Sequence, residues 1–189
     1  MAARKQHTES GGRQPARPID QVTRIHLALG EHLGTLCRIT WFVSDDEANE
    51  DELIEQVALL AHDQSEIVPP GRERAWLLRT LLGLLGATVV PGTDPLRDLP
   101  SLARPAAPVD AEIPESAFLR LHGALRALEK PDRASLVLAV QEGLSMAEGA
   151  RIQGGSRTDF ARRVTEAMAL LDDELIEALM GRVGRAPRA

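Results

Sequence analysis

The chain has 189 residues, of which 43% are hydrophobic and 26% are charged, and its formal net charge is −6. This length is enough for one ordinary domain or two small ones, and the composition is too apolar for disorder to be the default. No apolar run approaches the roughly 20 residues that span a bilayer, and the first residues lack the apolar segment of a signal peptide. We therefore expect a cytoplasmic protein without membrane contact.

The cysteine and the histidines of the sequence do not form a recognisable catalytic or metal-binding motif. A single cysteine, Cys37, excludes an internal disulfide framework and a multi-cysteine zinc site. Cys37 falls on an apolar helical stripe, which predicts a small buried side chain, and it could sense redox conditions only if exposed. The five histidines have no acidic partner at metal-ligand spacing. We expect no enzyme activity, no cofactor and no metal.

The charges are distributed unevenly along the chain. Residues 20–60 hold two basic and nine acidic residues, a net charge of −7, whereas residues 118–171 hold eight basic and six acidic residues, a net charge of +2. A chain this acidic is a poor general nucleic-acid binder. Any DNA contact is therefore expected in the second of these stretches, and any basic partner near the first.

The first half begins with a segment without hydrophobic periodicity, residues 1–18, which we interpret as a disordered arm. Apolar residues then recur every three or four positions over 22–43 and predict an amphipathic helix. Residues 44–46 interrupt this stripe and can cap a second helix, which carries apolar residues over 53–61. The Pro-Pro-Gly turn at 69–71 ends that unit.

A third helix is predicted over residues 73–88 and is apolar around most of its surface, which is typical of a helix buried in a core or against a partner. Six prolines follow within residues 90–114 and exclude long helices there. We interpret this segment as a linker between two small helical domains, residues 19–89 and 115–180, with a tail over 181–189. No strand pattern of comparable quality occurs, so the predicted fold is all-α.

The second half carries clear signals of helix starts and ends. Pro131 stands where it can begin a helix, and Ser145 and Glu148 have the spacing of a capping box. Gly154 can end the short helix that follows, and Ser156 can cap the last predicted helix. A short helix, a glycine turn and a longer helix with basic residues near its start are typical of a helix-turn-helix. The predicted DNA-contacting residues are Ser156, Arg157, Thr158, Arg162 and Arg163.

Two plainer interpretations remain open for this unit. The helix pair can be ordinary packing of two helices with no DNA role, because short motifs are hypotheses only. The arginines can form a solvated helix face in which Glu166 pairs with Arg162 or Arg163 at helical spacing.

Stretches in both halves of the sequence resemble a known protein family. The run LEKPDRASLVLAVQEGLSMAEGARIQGGSRTDFARRVTEAMALL, residues 128–171, resembles region 4 of the extracytoplasmic-function (ECF) sigma factors, a bacterial sigma-70 subfamily. The run HLGTLCRITWFVSDDEANEDELIEQVALLA resembles the helix, acidic turn and helix of region 2 that dock on RNA polymerase, and PGRERAWLLRTLLGLL resembles the helix that follows. The resemblance implies a polymerase- or partner-binding surface made of Glu52, Leu53, Glu55, Gln56, Val57 and Leu60.

The chain departs from the family pattern where promoter DNA is melted. Residues 81–90 carry no charge, whereas the family has a basic and aromatic stretch there. Melting needs aromatic side chains that stack on exposed bases and cations that hold the strand. Gly149 also replaces an apolar residue of the supporting helix. Asp159 and Ala161 occupy positions of the recognition helix at which family members tend to carry neutral or basic residues. We therefore expect that contact with promoter DNA is weak or lost, and that residues 81–90 no longer have the side chains that melt a promoter.

Two functions follow as expectations. The first is a sigma-type transcription regulator that binds RNA polymerase core and contacts promoter DNA through its helix-turn-helix. The second is a sigma-like decoy or adaptor that binds an anti-sigma factor or another protein without opening promoters, since a scaffold of this kind need not bind DNA.

Overall fold

The computed structural model describes residues 20–46, 49–88, 99–102 and 115–180, and within these ranges it contains helices and no strand. The prediction of an all-α fold is confirmed. The predicted arm, the tail and most of the proline-rich segment lie outside the described residues. The helices are α1 (Gln21–Val43), α2 (Glu50–Asp63), α3 (Glu73–Leu84), α4 (Glu115–Arg126), α5 (Lys130–Val140), α6 (Met146–Gln153), α7 (Arg157–Met168) and α8 (Asp173–Leu179), with a 3-10 turn over Ser65–Ile67.

Helix α1 begins at a side-chain cap, because the carboxylate of Asp20 accepts a hydrogen bond from the backbone N–H of Thr23 over 2.8 Å. This bond and a second one from the Thr23 hydroxyl hold the pKa of Asp20 below its usual value. The helix ends at Val43, where the chain turns extended at Ser44. The expectation that residues 44–46 cap the second helix is wrong: α2 starts at Glu50 and has no side-chain cap.

Helix α3 lies in the core, as its apolar surface predicts, and residues such as Leu77, Leu81 and Leu82 are fully buried. It ends at Leu84, four residues before the predicted end, because Gly86 adopts a left-handed backbone with φ of 69°. That conformation is favourable for glycine and stops the helix.

The two halves of the chain pack directly on one another, α1 against α5 and α3 against α6, and they contribute to one continuous hydrophobic core. Buried polar contacts also cross between them, among them a hydrogen bond from the amide of Gln153 to the carbonyl of Ala87 over 3.1 Å. Arg133 of α5 is 2% exposed and donates to the carbonyl of Val43 over 3.0 Å and to the carboxylate of Asp45 over 2.9 Å. Arg74 of α3 donates to the carboxylate of Glu142 over 2.9 Å. Each half therefore buries part of the surface of the other.

A short part of the proline-rich segment, residues 99–102, is packed on the first half. The Leu99 side chain is 1% exposed, and the Leu99 carbonyl accepts a hydrogen bond from Arg72. Ser101 donates to the carbonyl of Gly71 over 3.3 Å. These four residues thus belong to the folded body rather than to a solvated tether.

The last predicted helix is α7, and the structure adds a further helix, α8, that the sequence pattern did not predict. Helix α7 ends at Met168, and α8 starts after Asp172, whose carboxylate accepts a hydrogen bond from the backbone N–H of Leu175 over 2.9 Å. Helix α8 packs against α4, and Arg120 of α4 forms ion pairs with Asp172 and with Glu174. This helix closes the second half on the side of α4.

Candidate functional site

The two helices that the sequence predicts as a helix-turn-helix correspond to α6 and α7, which pack against each other and against α5. The capping box at the start of α6 is confirmed: the Ser145 hydroxyl accepts a hydrogen bond from the backbone N–H of Glu148, and the Glu148 carboxylate accepts one from the backbone N–H of Ser145 over 2.9 Å. The hydroxyl and the backbone N–H of Ser145 hold the pKa of Glu148 below its usual value. Gly154, with φ of 84°, ends the helix as predicted.

Helix α7 begins at Ser156, whose hydroxyl accepts a hydrogen bond from the backbone N–H of Asp159 over 3.0 Å and donates one to its carboxylate over 2.6 Å. The hydroxyl of this predicted DNA-contacting residue is therefore engaged in capping the helix. Ser156 positions the first turn of α7, and the side chains that follow it can face a ligand.

The core face of α7 is formed by Phe160, Val164 and Ala167, which are buried at helical spacing. The ring of Phe160 lies directly on Gly149 of α6, so closely that a methyl group on Gly149 would overlap the ring. The glycine that departs from the family pattern thus lets α6 and α7 approach each other. From the sequence alone, Gly149 reads as the loss of an apolar side chain. The local pattern cannot show why a glycine is needed, because the aromatic ring that requires it comes from another helix.

The structure separates the predicted DNA-contacting arginines into two groups. Arg157 and Thr158 are exposed in the first turn of α7. Arg162 is also exposed, and its guanidinium pairs with Glu166 over 2.6 Å. Arg163 is 16% exposed, and its guanidinium lies 3.8 Å from the carboxylate of Asp132 of α5. The first turn of α7 therefore carries the cation that is most available to a ligand.

The predicted polymerase- or partner-binding residues lie on α2, but they do not share one surface. Glu52 and Glu55 are exposed, and Leu53, Gln56 and Leu60 are partly buried. Val57 is fully buried in the core, so it cannot contact a partner in this conformation and is removed from the proposed surface. Leu59, which is not among the predicted residues, is 59% exposed on the same helix.

The acidic end of this surface meets the second half of the chain at Asp45. Burial raises the pKa of Asp45, but hydrogen bonds and charge from Arg133 and Lys130 outweigh burial, so that the net direction is downward. A cleft of about 250 Å³ opens beside Asp45, and Glu52 and Lys130 are among the residues that line it. Because both signs of charge meet there, the cleft favours no single class of ligand.

Within the described ranges, no group of three or more His, Cys, Asp or Glu side chains is placed to hold a metal ion. The prediction that Cys37 is buried is wrong: its thiol is free, and the residue lies on the exposed side of α1. None of the helices seen in the described part of the chain is long and apolar enough to cross a membrane.

The chain has no significant match among the known proteins with which it was compared. No model of a known protein family matches the chain, and no curated protein or solved structure was found to be significantly similar to it.

Proposed function

We propose that this chain is a sigma-factor-like transcription regulator that contacts DNA through α6 and α7 and RNA polymerase core through α2. The observation that carries the proposal is the three-helix unit α5–α7, in which side-chain caps and the contact between Gly149 and Phe160 fix the start of α7 at the protein surface. Such a unit places the first turn of its last helix in the major groove of DNA.

The chemistry of that first turn supports DNA as the ligand. Arg157 and Thr158 are exposed there, and a guanidinium forms bidentate hydrogen bonds with phosphate or with guanine. Ala161 and Thr165 lie farther along the helix, and small side chains at these positions permit a close approach to a groove.

The polymerase contact is proposed from charge and exposure together with the sequence resemblance. Glu52, Glu55 and Leu59 form an exposed, acidic surface with one apolar side chain on α2. A protein surface of this kind fits a basic partner surface with an apolar pocket.

A second function, the sigma-like decoy or adaptor that binds an anti-sigma factor, is favoured by different observations. Leu81 and Leu82 at the end of α3 and Leu85 just after it are buried, so these uncharged side chains are not available to stack on separated bases. Arg162 and Arg163 are paired with acidic residues of the same chain. A protein of this type would bind its partner through α2 without opening DNA.

The test measures binding of the purified chain to RNA polymerase core, to an anti-sigma factor and to duplex DNA, each at about 50 mM and about 200 mM salt. Two phosphate contacts make DNA affinity fall about tenfold between these conditions. Binding to both partners supports the transcription regulator. Binding to polymerase or an anti-sigma factor without DNA supports the decoy, and binding to none of the three contradicts both functions.

A charge reversal on α2 tests the partner surface itself. The double variant Glu52→Lys/Glu55→Lys should weaken polymerase binding, since rim charges control encounter and register. Glu177→Lys, on the exposed side of α8, is the matched control and should bind polymerase as the unaltered chain does. Equal effects of the two changes would place the polymerase contact elsewhere.

A further inference from the structure

The arginines of the helix-turn-helix differ in whether their charge is already engaged. Among the lysines and arginines of residues 20–46, 49–88, 99–102 and 115–180, Arg151 and Arg157 are the two whose guanidinium groups have neither a hydrogen bond nor an ion pair. Elsewhere on this unit, Arg162 and Arg163 are paired with Glu166 and Asp132. Both residues belong to the predicted DNA-binding unit, and the nearby charge of Arg151 helps to lower the pKa of Glu148 without forming an ion pair with it.

These two residues stand on opposite sides of its turn. Arg151 is in the last turn of α6, Arg157 is the first residue of α7, and both are exposed. A third arginine holds this arrangement in place: Arg79 of α3 donates a hydrogen bond to the backbone carbonyl of Arg151 over 2.9 Å. The first half of the chain therefore positions the end of α6, and the guanidinium of Arg151 stays outside that contact.

The neighbouring carboxylates are occupied by the caps. Glu148 accepts hydrogen bonds from Ser145, and Asp159 accepts one from Ser156. Arg157 also lies at the start of α7, where the helix dipole disfavours a cation. Its position does not stabilise the helix, and it gains a favourable partner only when an anion binds at the turn.

We infer that Arg151 and Arg157 form a phosphate clamp that grips the backbone of duplex DNA on either side of the turn. The inference rests on the proposed DNA contact and extends it to Arg151, which the sequence did not single out. Two guanidinium groups that flank a turn fit successive phosphates, and the paired Arg162 and Arg163 contribute less. Arg79 is a positioning residue, since it acts through the backbone of Arg151.

The experiment measures affinity for a labelled mixed-sequence duplex as a function of salt, for the full chain and for single variants. Arg151→Ala and Arg157→Ala should each weaken binding several-fold and reduce the slope of log affinity against log salt by about 1. Arg162→Ala should change the slope by less than half as much. Arg151→Lys and Arg157→Lys should keep the slope, because the charge is retained.

Arg120→Ala is the matched control, since Arg120 is exposed and paired with Asp172 and Glu174 in another part of the fold, and it should leave DNA affinity unchanged. Salt-dependent binding that neither Arg151→Ala nor Arg157→Ala alters would overturn the clamp and leave the proposed function intact. Absence of any salt-dependent DNA binding by the unaltered chain would overturn both. Stronger competition by single-stranded RNA than by duplex DNA would overturn the choice of DNA.

Discussion

Gly149 of α6 lies against the ring of Phe160 of α7 with no room for a methyl group between them. Both residues are buried, and the contact joins the two helices of the helix-turn-helix near its turn. The glycine is a poor helix former, so its presence costs on the order of 1 kcal/mol of helix propensity. Close helix packing offsets that cost, because the aromatic ring fills the space that a side chain would take.

Gly149→Ala should therefore destabilise the chain although alanine is the better helix former. We expect the free energy of unfolding to fall by about 1–3 kcal/mol, as in other overpacked cores. The measurement is urea unfolding followed by circular dichroism. Gly123→Ala is the control, because Gly123 is exposed in α4 with open space around it, and alanine should leave stability equal or raise it by up to about 1 kcal/mol. Equal responses at the two sites would contradict the packing argument.

The contrast between the caps and this contact shows what the sequence could predict. Ser145, Gly154 and Ser156 act on backbone groups within a few residues of themselves, so their roles are visible in local spacing. The reason for Gly149 comes from another helix, and no local pattern reveals it. The same limit explains the missed start of α8, a helix of seven residues that is too short to show a clear period.

Errors about exposure have a related cause. Apolar spacing places Cys37 on a stripe but does not show which elements cover it, and the resemblance that places Val57 on a partner surface carries no information about its burial. Helix α1 is contacted by α2, α3, α4 and α5, and Cys37 lies in the sector that remains open in the described part of the chain. Val57 faces the core, although the residues around it on α2 include exposed carboxylates. The polar contacts between the halves join residues far apart in the chain, and spacing cannot predict them.

The buried ion pair between Arg74 and Glu142 should tolerate the loss of both charges better than the loss of one. Both side chains are more than nine-tenths buried, and a second arginine, Arg38, lies 3.6 Å from the other oxygen of the same carboxylate. Arg74→Met should lower the free energy of unfolding by about 3 kcal/mol, because it leaves the Glu142 charge buried with only Arg38 nearby. The double variant Arg74→Met/Glu142→Leu should recover most of that loss, since it removes both charges.

Chemical denaturation of the two variants checks this expectation, with Arg120→Ala as the surface counterpart. Arg120 and its acidic partners are about half exposed, so its loss should change the urea midpoint far less than Arg74→Met does. A double variant no more stable than Arg74→Met would show that the pair contributes through something other than the stranded charge.

Asp45 should make the stability of the chain depend on pH in the acidic range. Hydrogen bonds from Arg133 and Lys130 outweigh the opposing effect of burial and lower its pKa below the ordinary value of 3.8. A carboxylate with a lowered pKa in the folded state adds stability above the pKa of the unfolded chain, and this stability is lost as the pH falls through the folded pKa. Asp45→Asn should therefore cost up to about 1 kcal/mol at neutral pH, since the side chain is largely exposed.

The measurement compares urea midpoints of Asp45→Asn and the unaltered chain between neutral pH and about pH 3. The difference should be constant down to about pH 4 and should shrink below it, because Asp45 itself becomes neutral. A difference that persists unchanged at the lowest pH would show that the effect comes from the shape of the side chain rather than its charge.

Leu99 should anchor the proline-rich segment to the first half of the chain. Its side chain is 1% exposed and its carbonyl accepts a hydrogen bond from Arg72, so this position behaves as core although six prolines surround it in the sequence. Leu99→Ala should lower the free energy of unfolding by about 2–3 kcal/mol, within the range for buried leucines. Leu59→Ala is the matched control, since Leu59 is 59% exposed and its truncation should stay within about 0.5 kcal/mol. If both substitutions have the same small effect on the urea midpoint, residues 99–102 are a solvated linker in solution and do not contribute to the core.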